Sequence, residues 1–199
     1  MGKIALIILG ILLVFVVLLA LMGIGQYNGL TTKRTDVDAK WAQVENNLQR
    51  RADLIPNLVN TVKGYAKIEQ SVLTQIAQSQ AVIKNGSSTP EQKMDASNQM
   101  SGALRSGGFM GAYPFMSFVQ AYPQLKSDQQ FSRLSDELAG TENRLGVARK
   151  DYNESTQDYN TSRQKFPAVL IAGAMGFQDK PFFKAEEGAK TAPVVDFSK

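Results

Sequence analysis

The sequence predicts an all-α protein: an N-terminal transmembrane helix, then an elongated antiparallel (up-and-down) helical bundle whose long first helix is kinked at a proline. Three observations predict this fold. Residues 4–24 are apolar and uncharged, and apolar residues recur about every 3.5 positions in two later segments, 26–85 and 131–166. Because heptad spacing places apolar side chains along one helix face, we expect the two later segments to pack against each other.

Residues 4–24 contain no charged or strongly polar side chain. At about 1.5 Å per residue, a helix of this length reaches across the roughly 30 Å hydrocarbon core of a bilayer. The alternative is a cleaved secretory signal, since Lys3 precedes the stretch. However, signal cores run to only about 7–15 residues, and no Ala-x-Ala cleavage site follows. We therefore predict an uncleaved anchor over residues 1–25 that contacts membrane lipid through residues 4–24. The side of the membrane that the bundle occupies stays open.

The 199 residues include neither histidine nor cysteine. This composition excludes imidazole-based catalysis, thiolate chemistry and the usual zinc sites. The formal net charge of +4 is spread along the chain without blocks, which is typical of a solvated surface and not of a nucleic-acid-binding face. We predict a protein that is not an enzyme and that has no catalytic residues, cofactor, metal or nucleic-acid partner.

The first helical segment after the anchor covers residues 26–85. Pro56 lies within its apolar repeat and removes one backbone hydrogen bond, but the register continues beyond it. A kink at Pro56 is therefore predicted, with a break into two stacked helices near this residue as the alternative. The apolar positions of the segment are Leu30, Val37, Trp41, Val44, Leu48, Ile55, Leu58, Val62, Tyr65, Val72, Ile76 and Ile83.

A turn and a weaker helix follow this segment. Thr89 is expected to cap the helix, with Pro90 at its first position and Gln92 completing a capping box. The helix then gives way to an apolar, glycine-containing stretch over residues 105–120. Exposed surface of this kind marks contact sites. The stretch either packs on its own bundle, contacts a neighbouring copy or dips into the bilayer. The residues of this candidate assembly loop are Phe109, Met110, Tyr113, Phe115, Met116 and Phe118.

The last long helix has the most regular pattern. Large apolar residues recur every seven positions, and Ser127 with Gln130 offers a capping box at its start. Pro167 is expected to end it, and residues 168–177 are expected to fold back on the bundle as a short helix. Residues 186–199 form a predicted flexible tail. The repeating positions are Phe131, Leu138, Leu145, Tyr152, Tyr159 and Phe166.

Tyrosine–asparagine pairs recur at Tyr27, Tyr152 and Tyr159, each followed directly by asparagine. Tyrosine combines a large apolar ring with a polar hydroxyl. We expect these hydroxyls to lie at the edge of the bundle, each satisfied by the asparagine beside it. A ligand site at these pairs is the less favoured alternative.

Several motifs together closely resemble the LemA family, and they cover nearly the whole chain in order. The resemblance implies a bundle domain over residues 26–185, anchored once in a bacterial inner membrane, and it implies no biochemical activity. The stretch 105–120 departs from it, because the family pattern implies a plainer helix there. The motifs are the stretch Leu48–Tyr65, Tyr27-Asn28, Trp41, Tyr122–Lys126, Thr141–Arg144, Ala148-Arg149, Tyr152-Asn153 and Phe166-Pro167.

Arg51 falls on the apolar face of the first helix, where the resemblance also implies a basic residue. Burial of a lone guanidinium is costly, so a carboxylate is expected to meet it. Glu142, Glu137 and Asp53 are the candidates. The arrangement is interpreted as an ion pair that sets helix register, with an anion-binding site as the alternative.

Three functions compete. The leading hypothesis is a membrane-anchored helical scaffold that presents its bundle to partners or to copies of itself as a homo-oligomer. The second is an adaptor or regulator of a membrane machine such as a quality-control protease, which would dock a membrane-protein partner near Arg51 or the tail. The third, a hydrolase with paired carboxylates and no histidine, requires two acids converging in one pocket.

Overall fold

The computed structural model describes residues 2–107 and 116–184. Every regular element in these ranges is helical, so the all-α prediction is confirmed. The elements are α1 (Gly2–Lys63), α2 (Gln70–Lys84), α3 (Pro90–Ser106), α4 (Met116–Ala121), a 3₁₀ turn (Pro123–Ser127), α5 (Gln129–Gln164) and α6 (Ala168–Ala172).

Helix α1 continues through Pro56, so the alternative of a break at this residue is wrong. Proline cannot donate to the carbonyl four residues earlier, which leaves the Ala52 carbonyl without its helical partner. The Gln80 side-chain amide, on α2, donates to that carbonyl at 2.9 Å. A side chain from another helix thus replaces the missing hydrogen bond.

The prediction of one helix over residues 26–85 is wrong, because the chain leaves the helix after Lys63 and not at Pro56. Helix α1 ends at Lys63, and α2 begins at Gln70. Gly64, a poor helix former, follows Lys63 directly. The turn lets α2 fold back along α1, as the contacts of Gln80 with Ala52 and of Lys84 with Asp53 show. Continued heptad spacing did not reveal this reversal, because α2 buries its apolar face whether it extends α1 or doubles back on it.

The described chain divides into two compact units, unit 1 (Met1–Lys40 and Asp151–Phe182) and unit 2 (Trp41–Lys150 and Phe183–Lys199). In unit 2, α5 runs antiparallel to α1, because Tyr65 meets Asp128 while Arg50 meets Glu137. Helix α3 returns parallel to α1, so unit 2 is an up-and-down bundle. Its largest buried apolar side chains are Leu48, Ile55, Leu58, Ile83, Met100, Leu104, Leu125 and Leu138.

Unit 1 pairs the start of α1 with the end of α5, again antiparallel. Lys33 forms an ion pair with Asp158, and the Ser155 hydroxyl donates to Asp36 at 2.5 Å. The predicted short helix after Pro167 is present as α6. Helix α1 is long and apolar enough to cross a membrane, and its apolar window is not buried in the protein.

Two helix ends differ in how well the sequence predicted them. The capping box at Thr89 and Gln92 is present with both hydrogen bonds. At α5 the predicted box of Ser127 and Gln130 is wrong, since Asp128 caps the helix and accepts from the backbone N–H groups of Gln130 and Phe131. Ser127 is already the last residue of the preceding 3₁₀ turn.

Phe166 lies beyond the end of α5 and is exposed, so its predicted place in the apolar repeat is wrong. Phe109, Met110, Tyr113 and Phe115 of the candidate assembly loop lie outside the described residues, as does the tail 186–199. Met116 and Phe118 belong to α4.

Candidate functional site

Arg51 is the most deeply buried charged residue among those described, at 1% exposure. It lies on α1 in unit 2, and Glu142 of α5 forms an ion pair with its Nε. Its terminal nitrogens donate to the Ser97 hydroxyl at 3.0 Å, the Ser97 carbonyl at 3.3 Å and the Ser101 hydroxyl at 2.6 Å. One carboxylate and three neutral oxygens therefore satisfy the buried guanidinium.

The three carboxylates that were candidates for Arg51 pair with three different basic residues. Glu142 contacts it, whereas Glu137 pairs with the neighbouring Arg50 at 2.5 Å and Asp53 pairs with Lys84 at 2.5 Å. The expectation that Glu137 or Asp53 pairs with Arg51 is therefore wrong. The reason is helical geometry: consecutive residues of α1 point about 100° apart, so Arg50 and Arg51 reach different faces of the bundle.

Ser97 and Ser101 are partners of Arg51 that were not predicted from the sequence. They lie one turn apart on α3, so they present their hydroxyls on the same face. The signal was available: Met94, Ser97, Ser101 and Leu104 follow the 3–4–3 spacing of a buried heptad face, and all four are buried. Small hydroxyl residues at core positions are suited to receiving a long side chain from the opposite helix.

A second guanidinium shares the Ser97 hydroxyl. The Arg149 Nη2 donates to it at 3.1 Å, and the Arg149 guanidinium lies 4.1 Å from the centre of the Phe183 ring. A hydroxyl has two acceptor lone pairs, and here each receives a donor from a cation. Such stacking on a ring face is a favourable placement for an arginine.

Lys93 adds a third cation to this region of unit 2. It is buried at 3% exposure and forms an ion pair with Glu45. The set of Arg51, Arg149 and Lys93 thus faces two carboxylates, Glu142 and Glu45. The hydroxyls, the ring and the backbone carbonyl supply the remaining stabilisation. The arrangement is suited to fixing the register of α1, α3 and α5, because each polar group has its partner on another helix.

The tyrosine–asparagine pairs bind the backbone of the C-terminal segment in unit 1. The Asn160 side chain donates to the Lys180 carbonyl at 2.8 Å and accepts from the Lys180 N–H at 2.9 Å. The Tyr159 hydroxyl donates to the Gln178 carbonyl at 2.9 Å, and the Tyr152 hydroxyl donates to the Pro181 carbonyl at 2.7 Å. An extended segment has no helical partners for its backbone, and these side chains supply them.

This geometry corrects the expectation that Asn160 satisfies the hydroxyl of Tyr159. Both side chains reach across to a segment about 20 residues later in the chain. Arg163 continues the row, since its Nε donates to Asp179 at 3.0 Å. Burial raises the pKa of the Tyr159 phenol, so this hydroxyl stays a donor. We call residues 177–182, held in this way, the strap.

The third pair contributes by packing. The Tyr27 ring meets the Phe177 ring edge to face, with 5.5 Å between centroids. Phe177 is buried and begins the strap. The aromatic contact therefore holds the strap at its first residue, beside the residues of α1 that follow the apolar stretch.

The chain is similar to one protein family and to several bacterial proteins. The LemA family model matches residues 40–197. Magnetosome proteins MamQ 1 and MamQ 2 of Paramagnetospirillum magneticum are each 27% identical over 187 residues, covering 85% of this chain and 68% of theirs. Protein LemA of Metamycoplasma hominis is 19% identical over 164 residues, covering 82% of this chain and 71% of its own. These bacterial relatives carry no enzyme name.

Proposed function

Because the chain belongs to the LemA family, we propose that it is a single-pass protein of the bacterial inner membrane. Its helical bundle acts there as a non-enzymatic scaffold for partner proteins or for further copies of the chain. One observation carries the proposal. Helix α1 contains both the exposed apolar stretch and the buried residues that build the bundle, from Leu30 to Val62.

This continuity supports a scaffold because no linker separates anchor and bundle. Only five residues lie between Ile24, at the end of the apolar stretch, and Leu30, the first buried apolar residue. A helix rises about 1.5 Å per residue, so the bundle begins within about 10 Å of the hydrocarbon core. Anchoring of this kind confines copies of the bundle to one plane, which favours association of surfaces that face one another.

The environment of the acidic residues favours this function over a carboxylate hydrolase. Glu137, Glu142 and Asp151 each form an ion pair with a basic residue, Arg50, Arg51 and Lys40 respectively. Within residues 2–107 and 116–184, no three aspartate or glutamate side chains come together as metal ligands would. The burial of Arg51 within unit 2 favours the scaffold over an adaptor that would dock on this residue.

The scaffold proposal is tested on the candidate assembly loop. Full-length protein in lipid nanodiscs or mild detergent is analysed by native mass spectrometry, with Phe109→Ser, Met110→Ser, Phe115→Ser and Met116→Ser combined in one variant. We expect smaller oligomers and a nearly unchanged melting temperature, because apolar contacts between copies are lost. Val147→Ser is the control, since Val147 is apolar and 62% exposed but lies outside the loop.

Three results would contradict self-assembly through the candidate assembly loop. If the wild-type protein is monomeric, self-assembly is excluded. If a different protein co-purifies at fixed stoichiometry, the adaptor hypothesis is favoured. A quadruple variant that melts at lower temperature with its oligomeric state intact assigns the loop to the monomer's own core.

A further inference from the structure

Helix α6 exposes two of its three larger apolar side chains, while Ile171 is half-buried. Ala168 and Ala172, one turn apart, are buried in unit 1, whereas Val169 and Leu170 are exposed at 50% and 70%. Phe166, just before the helix, is 79% exposed, and Met175, just after it, is 42% exposed. A surface helix in water normally has the opposite arrangement, with its larger apolar residues against the core. We call Phe166, Val169, Leu170 and Met175 the α6 surface.

The α6 surface lies beside the end of the anchor. A cleft of about 240 Å³ brings Phe166, Lys165 and Ala168 against Gln26, Gly29 and Leu30 of α1. These α1 residues follow the apolar stretch, which ends at Ile24. At about 1.5 Å per residue they lie roughly 3–9 Å beyond the hydrocarbon core. The headgroup layer extends about 5–8 Å beyond that core on each side, so the cleft lies at about its level, with Phe166 of the α6 surface in its lining.

The basic residues at this end of unit 1 outnumber the acidic ones, and two of them, Lys33 and Arg163, pair with Asp158 and Asp179. Residues 26–34 and 161–176 contain Lys33, Arg34, Arg163 and Lys165 and no aspartate or glutamate. Lys165 is exposed. Basic residues beside a membrane are attracted to anionic lipid headgroups, and aromatic and apolar side chains among them enter the interface.

We propose that the α6 surface inserts into the headgroup layer of the same bilayer that α1 crosses, with Lys165 beside anionic lipid phosphates. The proposal rests on the membrane anchoring proposed above and adds a second attachment to it. Unit 1 is then attached to the bilayer at two points, the anchor and α6, and two attachments restrict rotation of the protein about the axis of α1.

The absence of native cysteine makes the test direct. Full-length protein with Leu170→Cys carries a polarity-sensitive fluorophore and is reconstituted in vesicles of phosphatidylcholine and phosphatidylglycerol. Lipids that carry a quencher near the headgroup, and separately iodide in the water, report where the label lies. Gln157→Cys is the matched control, because it is exposed on α5 in unit 1 about 10 Å before the end of this helix at Gln164. Val14→Cys reports on the anchor.

We expect the label at Leu170 to be quenched several-fold more by the lipid quencher than the label at Gln157, and less by iodide. Lys165→Glu should weaken the lipid quenching at Leu170. Equal quenching of the labels at Leu170 and Gln157 overturns the proposal. In that case, a label at Val14 that iodide does not reach shows that the anchor is still inserted in the bilayer. Protection of Leu170 from both quenchers, increasing with protein-to-lipid ratio, identifies contact with a second copy and also overturns it.

Discussion

At the scale of single residues, Arg51 illustrates why a buried charge needs partners from several helices. Its guanidinium is satisfied by Glu142, Ser97 and Ser101 together. Removing the cation leaves the partly buried Glu142 carboxylate and the Ser101 hydroxyl without this donor, while the Ser97 hydroxyl keeps the one from Arg149. We expect Arg51→Ala to destabilise the folded state by about 3–5 kcal/mol, measured by urea unfolding of the fragment 26–199.

The neighbouring arginine is a matched control for this prediction. Arg50 also forms an ion pair, but its side chain is 53% exposed, so Arg50→Ala should cost no more than about 1 kcal/mol. The double variant Arg51→Met with Glu142→Gln should recover much of the loss, because it removes both charges. If Arg51→Ala keeps the wild-type stability but abolishes binding of an anion, the residue is a binding site and not an ion pair of the core.

Asp128 is expected to make stability depend on pH. The backbone N–H of Phe131 and the Tyr65 hydroxyl hydrogen-bond to its carboxylate and hold its pKa below the usual value. A lowered pKa in the folded state contributes stability above the unfolded-state value, near pH 4, that is lost as pH falls through the folded-state value.

Asp128→Asn removes this charge but keeps a residue that can cap the helix. We therefore expect the variant to be less stable than wild type at pH 7, with the difference shrinking as the pH is lowered below about 4. Unfolding curves at several pH values measure this. A difference that stays constant with pH would show that capping geometry, and not the carboxylate charge, accounts for the effect.

At the scale of helices, α5 offers two nearby positions with opposite environments. Leu145 is fully buried in unit 2, whereas Val147 is exposed. Leu145→Asp places an unpaired charge in the core and should cost several kcal/mol, a large part of a domain's stability. Val147→Asp should change the melting temperature little. Circular dichroism of the fragment 26–199 measures both, and equal melting temperatures would contradict the bundle core described here.

The strap depends on side chains of α5 for its backbone hydrogen bonds. Asn160→Ala removes two of them, each contributing about 1 kcal/mol. We expect amide hydrogen exchange of residues 177–182 to accelerate while the helices keep their protection. Gln157→Ala, an exposed change on the same helix, should leave the strap unaffected. Unchanged exchange in Asn160→Ala would mean that Phe177 and the ion pair of Arg163 hold the strap without it.

At the scale of the whole molecule, the apolar stretch of α1 is structurally separate from the bundle core. Residues 4–24 are not buried by the protein, so the bundle does not need them for its core. We expect a chain lacking residues 1–25 to keep its helical content and melting temperature. It should be released from membranes by alkaline carbonate, whereas the full chain stays in the membrane pellet. Loss of helical content beyond that of the deleted segment would contradict this separation.

The sequence alone determined the features that depend on neighbouring residues. The apolar length of residues 4–24, the heptad spacing of α1 and α5 and the capping box at Thr89 are local patterns, and each reports directly on local structure. The resemblance to the LemA family likewise came from short motifs in order. None of these required knowledge of which helix lies beside which.

Only the tertiary structure decided the pairings between distant segments. The sequence offered three carboxylates for Arg51 but not the rotation of α5 that selects Glu142. It did not show that α2 folds back along α1, so that Gln80 satisfies the carbonyl freed by Pro56. Nor did it show that Asn160 reaches Lys180. The physical reason is common to all three: hydrogen bonds require atoms about 3 Å apart and ion pairs require atoms within about 4 Å. Heptad spacing sets the face of a helix without setting its partner or register.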